Sequence, residues 1–337
     1  MLRLAVRRLF ASILTLVGVT MATFVVTNFI PGDPLAAVLG QRAMSDPQVV
    51  ETYRARWGLD RSLPERYGLY VWNLAHGDLG TSLSSQRPVA QDLAQYLPAT
   101  AELTGCALVI ALLIGVSLGV VAAMHRNAPV DHAVRLVALI GSSLPVFWLA
   151  LIALQVFYAG LGWMPGPGRL DTDVTPPPTI TGSHVIDALI DANPRVLTSA
   201  LAHLVLPSLV LSWFQVGMIA RVTRASMLDV LGSAYIQVAR AKGLRELTVM
   251  TRHGLRTALL PTVTVVGLAF ASLMAGAVMT ETVFAWPGIG RYAVQAASNL
   301  DFPAIMGITL LVAVLYLTSS LVVDILYGIL DPRLRVE

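Results

Sequence analysis

Six stretches of the chain carry no Asp, Glu, Lys or Arg over the length a helix needs to cross a bilayer. They are Leu9–Ile30, Leu103–Met124, Leu136–Gly168, Val196–Ala220, Thr257–Thr280 and Phe302–Val323. A hydrocarbon layer of about 30 Å takes roughly 20 helical residues to cross. Lipid offers no partner for an open backbone hydrogen bond, so each stretch is predicted to be helical. A buried core helix could account for one or two such runs, but not for six. The third run ends in the turn-rich "GWMPGPG", so only part of it is assigned to the membrane. The first follows Arg3, Arg7 and Arg8, as a secretory leader would. It is longer than a typical leader core and no small-x-small cleavage site follows it, which predicts an uncleaved span.

Composition agrees with the pattern: 55% of residues are hydrophobic and 13% charged, against roughly 25% charged in soluble domains. Six spans put both ends of the chain on one side, and charge decides which. Arg3, Arg7, Arg8, Arg126, Arg135, Arg333 and Arg335 fall on the side of the ends. So do Arg221, Arg224, Arg240, Lys242, Arg245, Arg252 and Arg256, in the loop 221–256. Most of the 20 acidic residues fall on the other side. Both termini and the 221–256 loop are therefore expected in the cytoplasm. The expected organisation is a tail and first helix (1–30), an outer domain (31–96) and a core (97–330) with five helices, then a short tail (331–337). The outer domain has one plausible helix, Asp46–Trp57; a second outer segment, 162–195, carries "TPPPT" and the amphipathic run "HVIDALIDA". Triple proline forbids a continuous helix there.

Motifs for chemistry are missing. No GxxxxGK[ST] phosphate loop, HExxH or GxSxG occurs, and "WPGPG" and "PGIG" lack the setting of a dinucleotide fingerprint. Cys106 is the single cysteine, which rules out a disulfide within the chain. The six histidines are scattered. Glu102, Glu281 and Asp324 lie near span ends, where snorkelling or capping is cheap. No catalytic residue, cofactor site, metal site or nucleic-acid partner is expected. The small-residue run "VGLAFASLMAGAVMTE" (266–281) allows close helix approach. It contains the candidates for a translocation path: Ser272, Met274, Thr280 and Glu281.

The 221–256 loop has its own pattern. "AYIQVARAKG" predicts a short helix, and Gly243 relaxes the backbone before a second one. If 245–256 is regular, Arg245, Val249, Arg252 and Arg256 share one face, with Leu247, Met250 and Gly254 opposite. Such a basic knob can lie on anionic headgroups or dock into a groove of a partner, and charge alone leaves both open.

"ARAKGLRELTVMTRHGLRTALLP" (239–261) closely resembles the EAA-type cytoplasmic loop of permease subunits in ATP-binding-cassette importers, nearest to the dipeptide/oligopeptide branch. "NFIPGDP" (28–34), "WGLDRSLPERY", "GDLGTSL", "YLPATAEL" (96–103), "SSLPVFWLAL" (142–151), "ETVFAWPGIGR" (281–291) and "DPRLR" (331–335) resemble further segments of that branch, in order along nearly the whole chain. Val238 departs mildly from the general loop pattern, and the 162–195 segment is longer than the branch leads one to expect.

The resemblance implies an all-α, six-helix membrane fold of the type I ABC importer permease class, in a bacterial plasma membrane. It implies a heterodimer with a second, similar permease, two cytoplasmic ATP-binding subunits that hold ATP and magnesium, and an external peptide-binding protein or lipoprotein. The coupling residues carried over are Ala239, Arg240, Ala241, Lys242, Gly243, Leu244, Glu246, Arg252, His253 and Arg256, to which the physical reading adds Arg245. Arg240, Arg245 and Arg252 are expected to meet acidic groove residues, with Leu247 and Met250 as the apolar anchor. Cargo is expected to be di- or oligopeptides. Nickel, glutathione and haem are the alternatives within the class. An ATP-independent channel or carrier and an intramembrane enzyme are disfavoured by the lack of midplane carboxylates and nucleophile–base motifs.

Overall fold

The computed structural model describes residues 2–29, 47–56 and 60–330. The "PGDP" and "DPRLR" segments, and the expected helix ends Asp46 and Trp57, lie outside the described residues. Among the described residues the chain is helical, with one isolated bridge between Thr81 and Pro88. The helices are α1 (Leu2–Phe29), α2 (Pro47–Arg56), α3 (Leu63–Ala75), α4 (Val89–Met124), α5 (Pro129–Ser143), α6 (Val146–Ala153) and α7 (His184–Ile190). They continue with α8 (Pro194–Leu231), α9 (Ala234–Ala241), the single turn α10 (Glu246–Thr248), α11 (Leu255–Val283), α12 (Ile289–Ser298) and α13 (Phe302–Leu330).

Four helices, α1, α4, α8 and α13, are each long and apolar enough to cross a membrane. Two bent pairs bring the number to as many as six, if each pair is one span: α5 with α6 and the wide turn that follows it, and the helical stretch from Glu246 to Met274. The first pair bends by 105°. Its cause is "SLP": Pro145 has no N–H to continue the helix and forces Leu144 into extended backbone, ψ 132°. The third span was expected from Leu136 as one run; it starts instead at Pro129 and is broken at Leu144–Pro145. After Ala153 it widens into a π-helical turn, Leu154–Gly160.

The chain divides into two compact units, Met1–Pro98 with Pro287–Leu317, and Ala99–Trp286 with Thr318–Glu337. The first is centred on Val89, Leu93, Ile289, Tyr292, Ala296, Ala304 and Ile308. "GDLGTSL" has a structural explanation there. Ser82 Oγ donates to Asp301 Oδ2 at 2.6 Å and the Ser84 N–H to the same oxygen at 2.9 Å. Ser85 Oγ and the Tyr292 hydroxyl donate to Asp92, at 2.6 and 3.0 Å, and Arg87 pairs with it. Both carboxylates are fully buried, and burial of a charge is tolerated only with such partners. In the same unit Tyr67 of α3 packs on Phe24 of α1, ring centroids 5.3 Å apart.

The second unit is built around α8, which packs along α11 and α5. Its apolar clusters join α4, α8 and α11 through Leu103, Leu204, Leu211, Leu273 and Trp286, and nearer the other end through Ala123, Met227 and Ala258. At Gly119 a β-carbon would stand 2.7 Å from Thr223 Cβ. That position has room for no side chain while α4 and α8 stay this close.

Candidate functional site

The segment between α8 and α11 folds as a knob. α9 is amphipathic, and Ile236 and Ala239 turn inward onto Val249, Val230 and Leu231. Lys242 ends the helix and Gly243 takes φ +76°, a left-handed conformation that costs glycine little. Leu244 then reverses the chain, its N–H reaching the Ala239 carbonyl. A fork from Arg240 to Glu246, at 3.1 and 2.6 Å, closes the reversal. Tyr235 ties α9 to the root of α11, its hydroxyl donating to the His253 carbonyl and meeting Thr257 Oγ1 at 3.2 Å.

Residues 245–256 are not one regular helix. A single α turn is followed by a π-helical turn, Val249–Gly254, before α11 begins. The wider turn breaks the expected stripe, and Val249 leaves the arginine face to become fully buried. Met250, expected as part of an external anchor, is 8% exposed and faces the interior of this chain, whereas Leu247 is 67% exposed. Arg240, expected to meet an outside acid, has Glu246 as its partner. Ala239 is buried and His253 half-buried, while Ala241, Lys242, Leu244, Arg245, Arg252 and Arg256 are on the surface. Val238 and Tyr235 add exposed apolar area.

The four path candidates separate. Ser272 is exposed on α11. Met274 is buried and its sulfur accepts a hydrogen bond from Thr104 Oγ1; Thr280 is buried; Glu281 is fully buried and accepts from Thr100 Oγ1 at 2.6 Å. The last three are thus buried by contacts within this chain.

A second polar cluster, invisible as a unit in the sequence, pins the 161–193 segment. Glu102 on α4 pairs with Arg169 at 2.5 Å and accepts from Ser183 Oγ at 2.6 Å and the Val185 N–H at 2.8 Å. Arg169 lies over the Trp286 ring, 5.3 Å from its centroid, and donates to the Gly182 carbonyl. Trp286 donates to the Ala99 carbonyl at 2.8 Å. Asp187 accepts from the Ile180, Thr181 and Gly182 N–H groups and the Thr181 hydroxyl, which holds its carboxyl below the ordinary range despite burial. Burial, helped by Arg169, pushes His184 down to about 4. One signal was present: Arg169 is the only arginine or lysine between Arg135 and Arg195. Among the described residues no group of His, Cys, Asp and Glu could hold a metal ion.

Residues 115–336 match the model of the binding-protein-dependent transport system inner membrane component family, and residues 1–104 match that of its N-terminal region. The chain belongs to this family. Its curated relatives include the probable D,D-dipeptide transport system permease protein of Escherichia coli K12, 45% identical over 97% of this chain and 96% of the relative. The di/tripeptide transport system permease protein of Pseudomonas aeruginosa is 44% identical over 99% of both chains. The dipeptide transport system permease protein of Alkalihalophilus pseudofirmus is 42% identical over 99% of this chain and all of the relative. Among solved structures, a chain of the MetNI methionine ABC transporter, in an inward-facing conformation, superposes with a TM-score of 0.50 at 17% identity. It covers 71% of this chain and 96% of its own length. The fold is thus that of an ABC importer permease, a multi-pass membrane protein. Within that frame the permease's knob is the part that projects from its own packing, and the Glu102–Arg169 cluster is the part that fixes a loop.

Proposed function

We propose that this chain is one of two translocation subunits of an ATP-driven importer for di- or oligopeptides, with both ends in the cytoplasm. A second, similar permease completes the path, two ATP-binding subunits hydrolyse ATP below it, and an external binding protein delivers peptide above. The observation that carries this reading is the knob 234–256. It is braced on the root of α8 through Ile236, Ala239 and Val249 and on the root of α11 through Tyr235, yet it exposes Val238, Leu244 and Leu247 among arginines. Apolar side chains outside the membrane gain by being covered, and a groove with an apolar floor and acidic rim fits them. ATP-driven closure of such a groove would then bias two arrangements of the spans. Ser272, on the exposed side of α11, is the path residue retained from the sequence.

The test is uptake by the reconstituted complex across dipeptides, longer peptides, nickel, glutathione and haem. ATP-dependent accumulation of peptides is expected. Accumulation of only nickel or haem would replace the cargo, and uptake by the chain alone would overturn the permease role.

A further inference from the structure

α8 and α11 run covalently into the knob, so any displacement of the knob reaches them directly. α5 has no such link. It is fastened to α8 at two levels. Along the helices, Gly217 brings the backbones together: a β-carbon there would stand 2.9 Å from the Ala138 carbonyl oxygen. At the end near the knob the fastening is ionic. Asp131, in the first turn of α5, is fully buried. Arg224 of α8 grips it with a fork, Nε to Oδ1 at 2.6 Å and Nη2 to Oδ2 at 2.7 Å. The Asn127 N–H donates to Oδ2 at 3.0 Å and Arg135 stands 3.6 Å from Oδ1. The same carboxylate therefore holds the 125–128 turn, the start of α5 and the stretch of α8 that leads into the knob. A forked pair fixes direction as well as distance, which an apolar contact does not.

We propose that the Asp131–Arg224 pair is a positioning element of the transport cycle, a strut that carries displacement of the knob into α5. The inference rests on the permease reading, because only a chain driven through its knob needs such a strut. It assigns a role to the one acid in the 125–135 loop, a residue that a purely electrostatic view of a cytoplasmic loop would count as a minor departure.

The experiment uses the full complex, with binding protein, in proteoliposomes. Asp131→Asn keeps the shape and removes the charge; Arg224→Lys keeps the charge and removes the fork. Each is measured for assembled complex, ATP hydrolysis and peptide taken up per ATP consumed. The strut predicts assembly and hydrolysis within about twofold of the parent and uptake per ATP reduced about fivefold or more. A residue that only stabilises the fold would lower the amount of complex and leave the ratio unchanged. An unchanged ratio in the variants that assemble overturns the proposal. So does recovery of the ratio by the apolar pair Asp131→Leu with Arg224→Met, which fills the space without a fork. If Asp131→Asn fails to assemble, Arg224→Lys decides. Failure of the permease reading would show separately, as no ATP-dependent uptake by the parent complex.

Discussion

Arg169 lies in a segment with no regular structure around it, and one contact explains why that segment is fixed. Its guanidinium is mostly buried against Glu102, whose own side chain is also nearly inaccessible. Neither charge can lose its partner cheaply: breaking one side of a buried pair costs about 3–5 kcal/mol. Arg169→Met should therefore destabilise the second unit by that order, seen as a lower melting temperature in detergent and early proteolysis within 161–193. An unchanged melting temperature would show that the pair holds nothing. The same loop supplies a pH test. His184 binds a proton near 6.5 when unfolded but only near about 4 when folded. As pH falls from about 6.5 towards 4, the unfolded chain takes up a proton that the folded chain refuses, so stability declines with acidity in that window. Asp187, also depressed, acts only at lower pH. Melting temperatures from pH 7.5 to 4.5 should fall in the parent and fall less in His184→Gln. Glu102 was legible in the sequence as an ionisable group at a span end, but its partner was not. The two residues are separated by 67 positions, and nothing in local periodicity links them.

The six apolar runs anticipate where the long helices lie because transfer from water to lipid dominates everything else at that scale. Irregular backbone was harder to read. The stripe expected over 245–256 assumed 3.6 residues per turn, and the π-helical turn at Val249–Gly254 shifts every later side chain. The consequence is a sharp contrast between two neighbouring apolar residues. Met250 is interior, so Met250→Ala should cost about 2–5 kcal/mol of stability. Leu247 projects outward, so Leu247→Asp should change stability by no more than about 0.5 kcal/mol while abolishing co-purification of the ATP-binding subunits. Retention of those subunits by Leu247→Asp would place the contact elsewhere. Gly243 gives a third test of the same element. Its φ of +76° is closed to proline, which is held near −65°. Gly243→Pro should leave the spans inserted, because α8 and α11 are secured by their own packing, and should uncouple ATP hydrolysis from uptake.

At the scale of the whole molecule the family was legible because the matching segments recur in order along the chain, and the path was not legible because a path belongs to an assembly. The small residues on α11 point to close helix approach, yet "SLMAGAVMTE" places polar and apolar side chains on both sides of it. Those turned towards α4 are spent on internal contacts: Met274 accepts from Thr104, and Glu281 from Thr100. The other side carries Ser272, Met279 and Thr282, all exposed in this chain. The expectation is that water in a shared path reaches the second set and not the first. The single cysteine makes this testable, since Cys106→Ser removes the background thiol. In the assembled complex a cysteine replacing Ser272 should react with a small, charged, water-soluble thiol reagent, and transported peptide should protect it. A cysteine replacing Thr280 should stay unreactive, because that position has no accessible surface. Labelling at 280 with silence at 272 would put the path on the α4 side of α11, and the second permease subunit would then have to be sought against the other face.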